Sequence, residues 1–173
     1  MAGDWIQAQS DYRRYLEIRP GNPRVEEHLA DALYRAGSGP EAIDAYRRVI
    51  ELDDTAVRAR NNLALLLREV GRLDEALETA QAAYARAPEE VIVLDTLGWL
   101  FVAHGLPQRA VALLRKAHER APNSTEIQYH LAVAYREAGH MDEALTLLEA
   151  LRVAITPNDL LTVDVDAALE SVR

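Results

Sequence analysis

Apolar and small residues recur along this chain in columns. Leu29, Leu63, Leu97 and Leu131 stand 34 residues apart, and each is followed by a small residue, Ala30, Ala64, Gly98 or Ala132. Eight residues after each leucine comes a glycine, Gly37, Gly71, Gly105 or Gly139, and five residues after each glycine an alanine, Ala42, Ala76, Ala110 or Ala144. Pro20, Pro88 and Pro122 mark a further column, from which Asp54 and Thr156 depart. Each column has a mechanical reason. The small residues allow two helices to cross at about 8 to 10 Å. The glycine supplies the left-handed conformation that ends a helix, and the proline stops the next helix from running on. The pattern predicts helix, short turn, helix, short turn, with each pair stacked on the next.

The most apolar stretch, Val91 to Gly105, has no clean polar face when drawn as a helix. Ile92, Leu94, Leu97, Trp99, Leu100, Phe101 and Val102 occupy almost its whole circumference. Such a helix is normally covered on more than one side. The period explains Leu94, Leu97, Gly98 and Phe101 as packing positions, and leaves Ile92, Trp99 and Val102 needing another partner.

The four-fold column set resembles the tetratricopeptide repeat family. Repeats can be ruled over residues 23–56, 57–90, 91–124 and 125–158, preceded by the second helix of a partial repeat over 1–22 and followed by a C-terminal cap over 159–173. The fourth place of each repeat departs from the family's large residue, being Glu26, Arg60, Leu94 and Gln128. The resemblance implies an all-α, right-handed superhelical solenoid of antiparallel helix pairs, with a concave face lined by the first helix of each pair. LDTLGW, ALLRKA and EIQYHLAVAYREAG in the third and fourth repeats also look like bacterial members associated with exopolysaccharide production and envelope protein sorting.

The two ends read differently. Ala8, Tyr12, Tyr15 and Pro20 fall on second-helix columns, so the segment Asp4 to Arg19 is a helix whose first-helix partner is missing. Its Trp5, Ile6, Tyr12 and Leu16 either pack on the first full repeat, or belong to a longer array of which this chain is a fragment, or are covered by self-association, and the last reading makes a homo-oligomer an expectation. Past Thr156 the period breaks. Asn158 or Asp159 suits a capped turn, and Asp164 or Asp166 the start of a short last helix, AALESV. Met1 to Gly3 have the look of an added leader, in which case any native targeting segment is expected to have been cut away.

Composition narrows the function classes. With 28 Asp and Glu against 19 Lys and Arg, the net charge of −9 disfavours nucleic acid and anionic lipid as partners. No run reaches the roughly 20 apolar residues of a membrane span, because Asp95 and His104 interrupt the best one. There is no cysteine, hence no disulfide, thiol nucleophile or thiolate-bound zinc. That composition suits the cytoplasm and the cell envelope equally.

No catalytic constellation emerges. His28 and His130 share a repeat position three repeats apart. His104 and His140 flank turn glycines without a third ligand, and His118 stands alone. The turn pair His104 and His140 reads as surface histidines, and the set implies no metal and no cofactor. The acidic doublets Glu26-Glu27, Asp53-Asp54 and Glu89-Glu90 read as charge near helix starts and turns. What remains is a non-catalytic module that binds a protein or peptide segment in its groove. Ile92, Trp99 and Val102 form its apolar anchor, ringed by Tyr34, Asn62, Arg68, Tyr129 and Arg136. The alternative is a scaffold that self-associates through the N-terminal helix. Two binding modes of the family were weighed on these positions. The carboxylate clamp is rejected, because Glu27 and Asp31 stand where it needs Lys and Asn. An asparagine ladder along the sixth positions would read His28, Asn62, Thr96 and His130, polar throughout but Asn only once.

Overall fold

Among the described residues ten helices form, and the starts of the paired ones carry the interval of the sequence columns. The computed structural model describes residues 2–156 and 161–172, and among these there is no strand. The chain divides into two compact units, residues 1–87 and 88–173. The first holds α1 (Ala2–Ile18), α2 (Pro23–Arg35), α3 (Gly39–Leu52), α4 (Val57–Glu69) and α5 (Leu73–Arg86). The second holds α6 (Val91–Ala103), α7 (Pro107–Arg120), α8 (Thr125–Glu137), α9 (Met141–Ala154) and α10 (Thr162–Val172). The helices α2, α4, α6 and α8 begin 34 residues apart, as do α3, α5, α7 and α9.

The turns inside the pairs are closed by one device. Gly37, Gly71, Gly105 and Gly139 all have positive φ, between 67° and 83°. The following N–H bonds back to a carbonyl five residues earlier, as from Ser38 to Leu33 and from Arg72 to Leu67. This satisfies carbonyls that a helix end would otherwise leave unbonded. Between pairs, Asn22 and Ser124 accept hydrogen bonds from the first-turn N–H groups of α2 and α8.

The weak fourth-place column has a structural use. Arg60 is buried and donates to the Asp54 carbonyl and carboxylate, both at 2.6 Å. Gln128 does the same work in the second unit, donating to the Pro122 carbonyl at 2.6 Å. Both side chains reach six residues back and fasten the turn that precedes their helix. Asp54, the non-proline of the proline column, is also gripped by Arg86. Arg86 foremost, then Arg60, holds the Asp54 carboxyl below its usual range. Within this acidic doublet, Asp53 closes a local turn by accepting from Thr55 N–H and Oγ1. The doublet is thus a turn clasp, more than the solvated charge its sequence suggested.

The N-terminal helix docks inside its own unit. Gln9 is buried and donates to the Ala32 carbonyl, Arg35 lies 4.9 Å over the Trp5 ring, and Tyr12 meets His28 at 5.7 Å. Ile6 and Ile18 remain exposed on α1.

At the other end the last helix is longer than AALESV, because Val165, Ala168 and Leu169 are buried against Ala132, Leu148 and Leu151. These three stand 34 residues after Leu131, Ala134 and Tyr135, so α10 continues the first-helix register. Asp164 and Asp166 therefore lie within the helix and do not cap it. Asp166 accepts from Arg152 at 2.5 Å. The proposed turn caps Asn158 and Asp159 lie outside the described residues.

The helices α6 and α7 cross closely at Gly98. A Cβ built on Gly98 would lie 2.6 Å from Leu114 Cγ, and Leu114 is fully buried. A side chain at this small-residue place requires Leu114 to shift.

Candidate functional site

In the second unit the first helices α6 and α8 bring together three rings. Trp99 stacks on His130, with centroids 4.3 Å apart and planes 15° from parallel. Tyr129 stands 6.2 Å from both rings in tilted contact. The histidine is fixed from its other edge, where Nδ1 lies 2.8 Å from Asp95 Oδ1. A carboxylate oxygen accepts, so Nδ1–H donates and the ring is held in one plane for stacking. Both partners are nearly buried, with side chains 11% and 14% exposed, whereas Trp99 is half-buried and Ile92 on the same helix is 50% exposed. Val102 is half-buried. The result is a rigid aromatic shelf on α6 and α8 with an apolar neighbour still facing water.

Arg136 is engaged elsewhere. It donates to Ser171 Oγ on α10 at 2.9 Å and to its neighbour Glu137 at 2.7 Å. Its expected role beside the anchor would require these bonds to be exchanged.

The first unit carries a recess of about 370 Å³ between α2, α3 and α4, and Tyr34 and Asn62 both line it. Its floor is a polar network around Asp31. That carboxylate accepts from Tyr46 at 2.6 Å and from Asn62 at 3.4 Å, with Arg58 3.7 Å away. Arg58 also donates to Glu27 at 2.8 Å. Tyr34 donates to Glu69 at 2.6 Å. Arg68 is half-buried on α4. The sixth-position ladder is not presented as a free polar row, because Thr96 is 3% exposed and Asn62 is committed to Asp31 and Tyr46.

Asp95, His130, Asp31, Tyr46, Arg58 and Glu27 thus build the two places, although none was singled out as a binding residue. Asp95 and His130 lie 35 residues apart, as do Tyr34 and Glu69, and Arg136 and Ser171. One first helix reaches the next at that separation. Tyr46 carried a different signal, sharing with Tyr12 of the partial repeat a polar tip in a column that the later repeats fill with Ala80, Leu114 and Leu148. Among the described residues no three His, Asp or Glu side chains gather as a metal site, and no helix is long and apolar enough to cross a membrane.

The networks also set the tyrosines. The bond to Glu69, with burial second, pushes Tyr34 up to about 12 from its ordinary 10.0. Burial foremost, then the bond to Asp31, raises Tyr46. Burial, then the Asp164 charge, raises Tyr129. A phenol that holds its proton more tightly folded than unfolded contributes stability below its ordinary value of 10.0, and that stability is lost as pH climbs towards about 12. Ultraviolet titration of the native chain is therefore expected to show three of the seven tyrosines ionising late. The urea midpoint should fall over the same alkaline range, and less steeply in Tyr46→Phe. Titration of all seven together at the ordinary value would contradict these networks.

One tetratricopeptide repeat model matches residues 2–56 and again 29–91, and a second matches residues 101–157. No curated protein matches the chain. Among solved structures, MamA is 21% identical, with 86% of this chain and 87% of that one covered at a TM-score of 0.77. YrrB, described as a TPR protein with an unusual peptide-binding site, is 20% identical, covering 93% and 81% at 0.76. The pilF protein of Pseudomonas aeruginosa is 21% identical, covering 98% and 82% at 0.78. At such identities the likeness is one of fold.

Proposed function

Since this chain belongs to the tetratricopeptide repeat family, we propose that it is a non-catalytic binding module that holds a segment of another protein on its first-helix faces. The family is one of protein-interaction scaffolds, and the observation that carries the finer reading is the Trp99 shelf. A half-exposed indole stacked on a histidine that Asp95 immobilises offers a large apolar surface at little cost in side-chain freedom. Ile92 extends that surface, and the first-unit recess with Tyr34 and Asn62 offers preorganised polar groups. The peptide-binding site named for YrrB makes an extended peptide a reasonable occupant. The LDTLGW and EIQYHLAVAYREAG segments support a place in a larger bacterial assembly. Self-association through α1 is the less supported reading, because Trp5, Gln9 and Tyr12 are already used against α2.

The chain has two tryptophans, so Trp5→Phe leaves Trp99 as sole reporter. Peptides selected from a random displayed library on the full chain are then titrated into this variant. A saturable shift of indole emission is expected. Binders that leave Trp99 emission and its quenching by iodide untouched would place the ligand elsewhere and reject the shelf.

A further inference from the structure

A second cleft in unit two, of about 430 Å³, shares no lining residue with the Trp99 shelf. It opens between α7, α8 and α9 over a floor of Leu131, Leu147 and Ala150, with Asp142 and Glu143 in its wall. The first unit has a cleft of about 400 Å³ at the same place, two repeats earlier, where Leu63, Thr79 and Ala82 occupy the floor positions. Comparing the two clefts shows a difference in charge. In the first unit Glu75 is neutralised within the chain, accepting from Arg47 at 3.0 Å and from Arg72 at 2.7 Å. In the second unit its counterpart Glu143 faces His140, at 3.7 Å, where Arg72 would be. Arg115, the counterpart of Arg47, is exposed, and among the described residues no arginine bonds to Glu143. The floor is also more apolar, since Leu147 replaces Thr79.

We propose that this cleft docks a basic segment of a partner protein through one arginine. The aliphatic stem lies on Leu131, Leu147 and Ala150, and the guanidinium reaches Glu143 and Asp142. The partner thereby supplies the cation that Arg47 and Arg72 provide in the first unit. Arginine fits because its stem is apolar, its planar head pairs with carboxylates, and the net charge of −9 draws a basic segment in. The site is independent of the Trp99 shelf and stands or falls separately.

The probe is the synthetic peptide acetyl-Leu-Arg-Leu-Leu-Arg-Leu-amide, followed by amide-correlation NMR on the full chain. Matched peptides carry citrulline or glutamate in place of arginine. Saturable shifts are expected at Leu131, Thr146 and Leu147 with the arginine peptide. Glu143→Gln should weaken its affinity about fivefold, the size of one partly exposed charge pair. Asp142→Asn with Glu143→Gln should remove the advantage over citrulline. The proposal is overturned by equal affinity for the citrulline or glutamate peptide, by shifts centred on Ile92 to Val102, by an unchanged affinity in the double variant, or by no saturable shift up to the solubility limit.

Discussion

Trp99→Ala is expected to weaken binding of a shelf ligand by at least about thirtyfold, the equivalent of roughly 2 kcal/mol for a central aromatic anchor. Far-ultraviolet circular dichroism should hardly change. The helix α6 is held by Val93, Leu94, Leu97, Leu100 and Phe101, all buried, and none of these depends on the indole. His130 keeps its bond to Asp95 when the ring above it is removed. The stacking lost with His130 costs about 1 kcal/mol, visible as a modest fall in melting temperature. Trp99→Phe separates the two effects, because a phenyl ring still stacks on His130 and restores stability while offering a smaller surface to a ligand. Calorimetric titration of a selected peptide into all three proteins reads the affinity, and thermal melts read the stability. A loss of binding that merely tracks unfolding across the series would make Trp99 a packing residue and remove the shelf from the proposed function.

Gly98→Leu is expected to cost at least about 3 kcal/mol, because overpacking a filled core forces side chains from their rotamers and helices apart. The first atom added would already lie 2.6 Å from Leu114 Cγ, and three more carbons follow it into a fully buried crossing. For a chain of this size the melting temperature should drop by about 6 to 12 °C. Gly98→Ala is the informative contrast. In the fourth repeat the same two places hold Ala132 and Leu148, both fully buried, so one methyl group can coexist with a leucine there. Alanine also gains about 1 kcal/mol of helix preference over glycine. A net change within about 1 kcal/mol is therefore expected for the alanine variant once Leu114 adjusts. Leu114→Ala should recover part of the loss in Gly98→Leu, although it costs stability alone. Independent effects of the two substitutions would show that α6 and α7 do not meet at this pair.

The comparison of these two variants shows what the period could convey. A small residue at positions 30, 64, 98 and 132 was legible from spacing, because any close crossing of two helices demands one. Which small residue was not legible. That choice depends on the side chain opposite, which is Tyr46, Ala80, Leu114 or Leu148, and on the rotamer it adopts. The aromatic shelf was partly legible for the same reason. Trp99 and Tyr129 stood out as large rings at first-helix positions. Their dependence on Asp95 and His130 required knowing that adjacent first helices meet 35 residues apart in sequence. The turn clasp of Asp54 was illegible, since Arg60 stands in the sequence as a departure from the family's large residue and the period gives no sign that its guanidinium and that of Arg86 meet on one aspartate.

The sequence by itself determined the all-α repeat architecture, the helix ends set by glycine, and the absence of a thiol. Each follows from local rules or from counting, with backbone preference and helix spacing repeated until chance is excluded. The tertiary structure alone decided that α1 spends Trp5, Gln9 and Tyr12 on its own unit and that α10 starts early to bury Val165. It alone decided that Arg136 bonds Ser171 and that Glu143 lacks the arginine partners of Glu75. Those outcomes turn on where side-chain ends meet across helices, and a one-dimensional period carries the spacing of backbones without the reach of the groups they bear.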